Sequence, residues 1–283
     1  MHSNSSIYVT GETRGGLDNN TNSGDKDIFL VKYNNSGVRQ WTRQLGTASE
    51  DVGYGVAVDS TGNIFVTGST SASLDSQTYS GNSDIFLVKY NASGVKQWTK
   101  QLGTTSQDVA YGVTVETRGH IYVTGFTKGN AWNVTGYADN VTNSGNSDVF
   151  LVKYYDNSSL HWTELLGTSS SDKAEEGRSV TVDSANPSSM LYLTGLTEGA
   201  LYGSNLGNYD VFLAKYNLAG TMQWSSTVRQ IGTSSGEQGY GVTVDSSGKI
   251  YVVGNTGGEL DNNTNSGLQD VFIFKYNSSG TKQ

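Results

Sequence analysis

The sequence predicts an all-β repeat fold, and three observations predict it. Short runs of β-branched and aromatic residues recur along the whole chain, polar Asn/Ser/Gly turns separate them, and helical periodicity is absent. Two phrases are repeated. One runs from Asp84 to Trp98 as an apolar strand, a tight turn and a second strand approaching Trp, with further copies opening at Asp27, Asp148, Asp210 and Asp270. The fifth copy stops at Gln283, just before its Trp. The other phrase, Ile-Tyr-Val-Thr-Gly at Ile7, returns at Ile64, Ile121, Leu191 and Ile250, with steps of 57, 57, 70 and 59 residues. Strand-built repeats of this length point to β-propeller blades before other repeat classes.

Each unit divides into four strand-like runs. In the second unit these are Tyr54–Asp59, Ile64–Gly68, Asp84–Tyr90 and Gln97–Leu102. The first two are joined by a turn whose Asp59, Gly62 and Asn63 suit a reversal of the backbone. The third run is apolar on both alternating faces, with Ile85 and Leu87 on one and Phe86, Val88 and Tyr90 on the other. Both faces must then be covered, as in a sheet stacked between two others. The prediction is a single propeller-repeat domain over 1–283, built of four-stranded antiparallel blades in repeat units of about 7–53, 54–110, 111–177, 178–239 and 240–283. The first unit lacks its Gly-Val-Ala-Val strand and the last lacks its Trp strand, so both end blades are incomplete. Unfinished sheets expose strand edges that pair with other chains. The predicted partner is therefore another copy of the same chain, and a fibre the predicted form. The alternative is a piece cut from a longer repeat array.

Gly55 to Gly68 (Gly-Val-Ala-Val-Asp-Ser-Thr-Gly-Asn-Ile-Phe-Val-Thr-Gly), Asp84-Ile-Phe-Leu-Val-Lys-Tyr-Asn, and Trp98 with Leu102-Gly103-Thr104 resemble the SBBP (seven-bladed β-propeller repeat) family over nearly the whole chain. The resemblance implies the propeller fold, in large surface and secreted proteins, and carries no shared catalytic residues. The departure is in number, five copies where the family name says seven.

Bulk properties exclude several classes of function. A formal charge of −8 opposes a phosphate-binding surface, so nucleic acid is not an expected partner. The absence of Cys removes disulfides, thiolate catalysis and zinc-thiolate sites. No apolar run approaches the roughly 20 residues that span a bilayer. Residues Met1 to Ser6 lack the basic and apolar regions of a secretory signal, which reads either as a protein that stays inside or as a processed piece.

Side chains with chemistry mostly sit at repeated positions. The Trp series (Trp41, Trp98, Trp162, Trp224) reads as packing between blades, and the Asp that opens each third strand as a turn cap. Its Lys, five residues on, reads as a packed stem or local ion pair. Asp51, Asp108, Asp172 and Glu237 read as fixing the Gly-Thr-x-Ser loops, and Glu175 and Glu176 with Asp172 as an acidic loop cluster. His2, His120 and His161 have no metal or triad partner at a recognisable spacing, so no His-based catalysis is predicted. Trp132 stands outside the repeat position, with Asn130 and Tyr137 nearby, and is the candidate for a contact with carbohydrate or protein. Asp18, Asn20 and Asn22 alternate as calcium ligands would, and Asp261 opens a second loop of the same kind, but the EF-hand Gly and Glu spacing is missing and hydrogen-bonded turns are the preferred reading. No other cofactor is implied. Asn-x-Ser/Thr sequons at Asn4, Asn19, Asn34, Asn91, Asn133, Asn140, Asn157, Asn262 and Asn277 fall mainly in turns open to glycosylation. The functional expectation is a non-catalytic extracellular or cell-surface building block. The alternative is a lectin-like binding module using the loop around Trp132.

Overall fold

The computed structural model describes residues 6–130, 132, 142–168, 174–183, 189–201, 203–224 and 229–283. The chain forms two compact units, Met1–Val115 and Glu116–Gln283. Among the described residues, regular structure is β, in antiparallel sheets, apart from one 3-10 turn at Leu74–Ser76.

In the first unit, β1 (Ile7–Thr13), β2 (Asp27–Tyr33) and β3 (Arg39–Leu45) form a sheet in the order β1-β2-β3. Next, β4 (Asp51–Val58), β5 (Ile64–Thr70), β6 (Asp84–Tyr90) and β7 (Lys96–Leu102) form a four-stranded sheet in chain order. The unit ends with β8 (Asp108–Val115), which packs on β4 and β5. In the second unit, β9 (Ile121–Thr127), β10 (Asp148–Tyr154) and β11 (Leu160–Leu166) lie in the order β11-β10-β9. A four-stranded sheet follows, made of β12 (Glu175–Asp183), β13 (Met190–Thr197), β14 (Asp210–Asn217) and β15 (Arg229–Ile231). The last sheet has three strands, β16 (Glu237–Val244), β17 (Ile250–Thr256) and β18 (Asp270–Tyr276).

The first strand of each repeat begins earlier than its sequence suggests. Strand β4 starts at Asp51, not Tyr54, because the ladder continues through a bulge between Gly53 and Gly55. The bulge recurs between Gly177 and Ser179 and between Gly239 and Gly241. A side chain at Gly53 would press on Ile28 Cγ2 at 3.0 Å and on the Gly11 carbonyl at 3.1 Å, so the small residue lets neighbouring sheets approach. The segment from Lys173 to Arg178, which reads as an expanded loop, is strand β12 from Glu175 onward.

Sheets pack face to face within each unit. Ile28 and Leu30 of the first sheet meet Ile64, Val66, Phe86, Val88 and Tyr90 of the second. In the second unit Tyr122, Val149 and Leu151 pack against Leu191, Leu193 and Phe212, and Tyr192, Val211 and Leu213 against Ile250, Val252, Phe272 and Phe274. Strands β6 and β10 are buried along their whole length, as apolar residues on both faces require.

The Trp series fastens one repeat to the next. Trp41 lies 6.1 Å from Tyr8, and Trp224 lies 5.9 Å from Tyr192. Arg43 stacks over Trp41 and donates through Nε to the Gly94 carbonyl at 2.7 Å, in the following repeat's turn. Arg229 does the same with Trp224 and Gly280. The third-strand lysines reach the same turns, Lys32 Nζ to Ala92 O at 3.1 Å and Lys215 Nζ to Ser278 O at 2.9 Å.

Candidate functional site

Apolar positions buried inside the repeat series are open at both ends of it. In β18, Val271 and Ile273 are 83% and 69% exposed, whereas the corresponding Ile85 and Leu87 are each 2% exposed. Val253 joins them on the same face of β17, where the other repeats have Thr10, Thr67, Thr124 and Thr194. Each of those threonines donates to a third-strand carbonyl, as Thr67 does to Phe86 O at 2.6 Å and Thr194 to Phe212 O at 2.6 Å. Valine adds a third aliphatic side chain beside Val271 and Ile273, between Asn255 and Lys275 on the same face. At the other end, Ile7 and Val9 of β1 are 50% and 42% exposed, where Ile64 and Val66 are buried.

The free edge of β18 borders a groove of about 300 Å³, lined by Leu260, Asp261, Asp270 and the strand from Val271 to Phe274. The calcium candidates belong to the same loop type. Asp18 and Asn19 have φ of 51° and 66°, and Asp261 and Asn262 have 54° and 62°, a pair of left-handed residues that bends the loop back. Their carboxylates are engaged by the chain itself. Asp18 bonds Arg39 and Thr42, and Asp261 pairs with Lys282 at 2.5 Å. Asn20 and Asn22 donate their amides to backbone carbonyls, Asn20 to Leu17 O at 2.7 Å and Asn22 to Gly24 O at 2.8 Å. Among the described residues, no group of three or more acidic or His side chains is placed to hold a metal ion.

Trp132 is buried with its ring edge toward Phe150, centroids 5.3 Å apart, while Asn130 is exposed and accepts from the Asn143 amide at 3.1 Å. Tyr137 lies outside the described residues, as do Asn4, Asn133, Asn140 and Asp172. Of the sequon residues, Asn19, Asn157 and Asn262 are exposed. Asn34, Asn91 and Asn277 are half-buried and hold their turns by accepting amides through Oδ1, for example Val38 N at 2.9 Å.

The repeated carboxylates are structural groups, buried except for the half-buried Asp270. Asp27, Asp84, Asp148, Asp210 and Asp270 each accept the amide four residues before them, as Asp84 does from Ser80 at 2.9 Å. Gln44, Gln101 and Gln230 of the Trp strands donate to the first, second and fourth of these carboxylates. Asp51, Asp108 and Glu237 fix the Thr47, Thr104 and Thr233 loops, with Asp51 accepting from Thr47 N at 2.6 Å. Glu175 accepts from Thr168 Oγ1 at 2.9 Å and Thr197 Oγ1 at 3.1 Å, while Asp172 lies outside the described residues. Glu176 pairs instead with Arg178, so these two glutamates part into a buried loop anchor and an ion pair. Burial pushes the carboxyls of Asp51, Asp84, Asp148, Asp210 and Glu175 above their ordinary range. Neighbouring carboxylates add to the effect, Asp27 beside Asp51 and Asp148 beside Glu175.

The third repeat contains a constellation that the sequence reading missed. His120 Nδ1 lies 2.7 Å from the buried Glu116 Oε1, and the His120 and His161 rings flank Tyr155 at 5.2 and 4.4 Å. Lys153 lies 5.9 Å from the Tyr155 ring centre. These residues depart from the repeat together: Glu116 stands where other units have Asp59 and Asp245, His120 replaces Asn63, Tyr155 replaces Asn91, and His161 replaces Gln97. Comparing the repeats column by column gives the signal. Burial, and then the Lys153 ammonium, hold both imidazoles below their ordinary range.

Comparisons with known proteins agree with the repeat reading. The chain is 26% identical over 283 residues to the regulatory protein FlaEY of Caulobacter vibrioides, covering 90% of this chain and 29% of that protein. It is 26% identical over 273 residues to a WD repeat-containing protein of Acanthamoeba polyphaga mimivirus, covering 77% of this chain and 20% of that one. The chain therefore spans less than a third of the length of these relatives. Among solved structures it is similar to a Synechocystis apocarotenoid oxygenase variant, with TM-score 0.43, 10% identity, and coverage of 95% of this chain and 56% of that one. A duf4221 family member from Bacteroides vulgatus gives TM-score 0.39 and 11% identity, over 99% of this chain and 86% of that one. The β-propeller repeat SBBP matches residues 40–75, 97–130 and 228–261, each match running from a Trp-type strand into the loop of the following unit. The chain thus carries SBBP β-propeller repeats at three positions along its length.

Proposed function

We propose that this protein is a non-catalytic building block of an extracellular or cell-surface structure, which associates through the exposed apolar faces of its first and last sheets. The observation that carries the reading is the exposure of Val271 and Ile273, at 83% and 69%, at positions buried inside the repeat series. Within each unit the corresponding face is covered by the sheet that follows. The face of β17 and β18 is accordingly covered by the first sheet of a second copy, through Ile7 and Val9. Burying an aliphatic side chain of this size contributes about 1.5–3 kcal/mol, and four such residues match the lower part of the roughly 4–15 kcal/mol that association costs. Because the contacting surfaces differ, the contact is head to tail and generates a ring or an open filament.

The repeated acids support the absence of catalysis, since they are engaged in turns, loops and strand contacts. Exposed Asn19, Asn157 and Asn262 suit glycosylation on an outer surface. The burial of Trp132 favours packing over a sugar-stacking role. Sedimentation and electron microscopy across a concentration series test the proposal. Particles should grow with concentration and revert to single chains in the V271D/I273D variant. A wild type that stays a single chain at high concentration overturns it.

A further inference from the structure

The side chains that depart from the repeat pattern in the third unit gather beside Lys153, and Lys153 links that unit to the fourth. Its Nζ donates to Leu218 O at 3.1 Å, in the turn from Asn217 to Thr221. At the first and fourth junctions the corresponding turn is held twice. Lys32 and Arg43 donate to the Ala92 and Gly94 carbonyls, and Lys215 and Arg229 to the Ser278 and Gly280 carbonyls. In the third repeat Glu164 stands two residues past Trp162, as Arg43 stands past Trp41. A carboxylate has no N–H to give, so of these two positions Lys153 is the one that donates to the turn.

The ammonium sits among rings and charges. Lys153 is 5% exposed, and its Nζ lies 5.5 Å from the Tyr122 ring centre and 5.9 Å from that of Tyr155, the ring between His120 and His161. Glu116 and Arg118 reach the cluster from the turn before β9, and Tyr122 from β9 itself. Asp156 comes from the turn after β10, where it lies against Gly119, and Glu164 of β11 lies against Gly220. The facing turn of the fourth repeat, Asn217 to Thr221, brings no ionisable side chain. A proton on either imidazole therefore places a further cation beside the Lys153 ammonium. Glu116, 2.7 Å from His120 Nδ1, offsets the first of two such charges. Burial, followed by Lys153, opposes protonation of both rings in the folded chain, so acid favours a conformation that parts the imidazoles from the lysine.

We propose that the link between the third and fourth repeats is an acid-sensitive latch: when His120 and His161 take up protons, the Lys153 side chain leaves the Leu218 carbonyl and the turn from Asn217 to Thr221 loosens. The second repeat carries Asn63, Asn91 and Gln97 where the third has His120, Tyr155 and His161, amides that do not become charged between pH 7 and pH 5. The device is thus confined to one place in the series. Nothing in it depends on how copies of the chain associate.

The test is hydrogen exchange of the intact protein, read by mass spectrometry and corrected for the intrinsic rate at each pH. The amides of Asn217 and Gly220, bonded to Thr221 O and Asn217 O, report on the latch, and those of Asn34, Gly37, Asn91 and Gly94 in the equivalent turns are the reference. From pH 7 to pH 5, protection of the fourth-repeat turn should fall about tenfold while the reference turns hold. All three turns are compared within the wild type, so the result decides the matter even where a variant folds poorly. H120N/H161Q, which installs the second repeat's side chains at two positions, should keep the fourth-repeat turn protected at both pH values, and K153M should lower its protection already at pH 7. An equal fall in all three turns, no fall in the fourth-repeat turn, a fall that persists in folded H120N/H161Q, or wild-type protection in K153M overturns the proposal.

Discussion

Gly46, Gly103, Gly167 and Gly232 sit where a carboxylate oxygen occupies the space of a side chain, from Asp27, Asp84, Asp148 and Asp210 respectively. Asp27 Oδ1, Asp84 Oδ1 and Asp148 Oδ1 lie against these glycines and have no conventional hydrogen-bond partner. A Cβ at Gly103 would collide with Asp84. Gly103→Ala is therefore expected to lose about 1–3 kcal/mol in urea unfolding, as for other overpacked sites. The carboxyl itself gives a pH test. Burial raises the Asp84 pKa above its unfolded value, so its contribution to stability is complete below the unfolded value and declines as pH rises through the folded one. The wild type should gain stability relative to D84N as pH falls from 7 to 4, and a constant difference would contradict this. His120 and His161 act in the opposite sense. Their folded pKa values lie below 6.5, so stability is lost as pH drops through the unfolded value. Glu116, Lys153, Arg118 and Tyr155 surround the pair, and hydrogen-exchange protection in β10 and β11, corrected for the intrinsic exchange rate at each pH, should fall from pH 7 to pH 5 in the wild type but not in H120N/H161Q. The recurrence of the aspartates was legible in the sequence; the meeting of Glu116, His120, Tyr155 and His161 was not. Two lie on one hairpin and two on another, and strand pairing alone brings those turns together.

At the scale of strands and sheets, the Trp position is a clamp on the following turn. Trp162 is buried with Tyr122 at 6.0 Å on one side and Gly220 on the other. Trp162→Ala should cost about 3–5 kcal/mol, the range for emptying a large buried site, measured by thermal or urea unfolding. Third strands were legible to the residue, since Asp84–Tyr90 carries the full apolar run between a turn cap and a turn. First strands were less so. Their opening Asp-Val-Gly reads as loop because Gly and Asp are poor strand formers, and only the close approach of the neighbouring sheet explains why a bulge at Gly53 belongs there. Strand β15 was the least legible. Between Trp224 and Arg229 the fourth repeat carries extra residues, so Arg229, not a residue two past the Trp, takes the place of Arg43. β18 has the same apolar sequence as its counterparts but alternates between buried and exposed. What covers a strand is a property of its neighbours, which a local sequence pattern does not contain.

For the whole chain, stability is a sum of repeats and the junctions between them, as in other arrays whose units touch only their neighbours. Changes confined to the end faces should therefore separate folding from association. V9D is expected to leave the unfolding midpoint nearly unchanged while abolishing concentration-dependent growth, checked by circular dichroism beside sedimentation; a large fall in the midpoint would place Val9 in the core of its unit instead. The valine at position 253 carries a further consequence. Because the threonine hydroxyl of the inner junctions is absent there and the opposite terminus presents Ile7 and Val9 instead, the two extremities are chemically unlike. Any polymer they build has a direction, like an arrow, and its tips need not elongate at the same speed. A small proportion of chains blunted at one tip would halt growth on that side only.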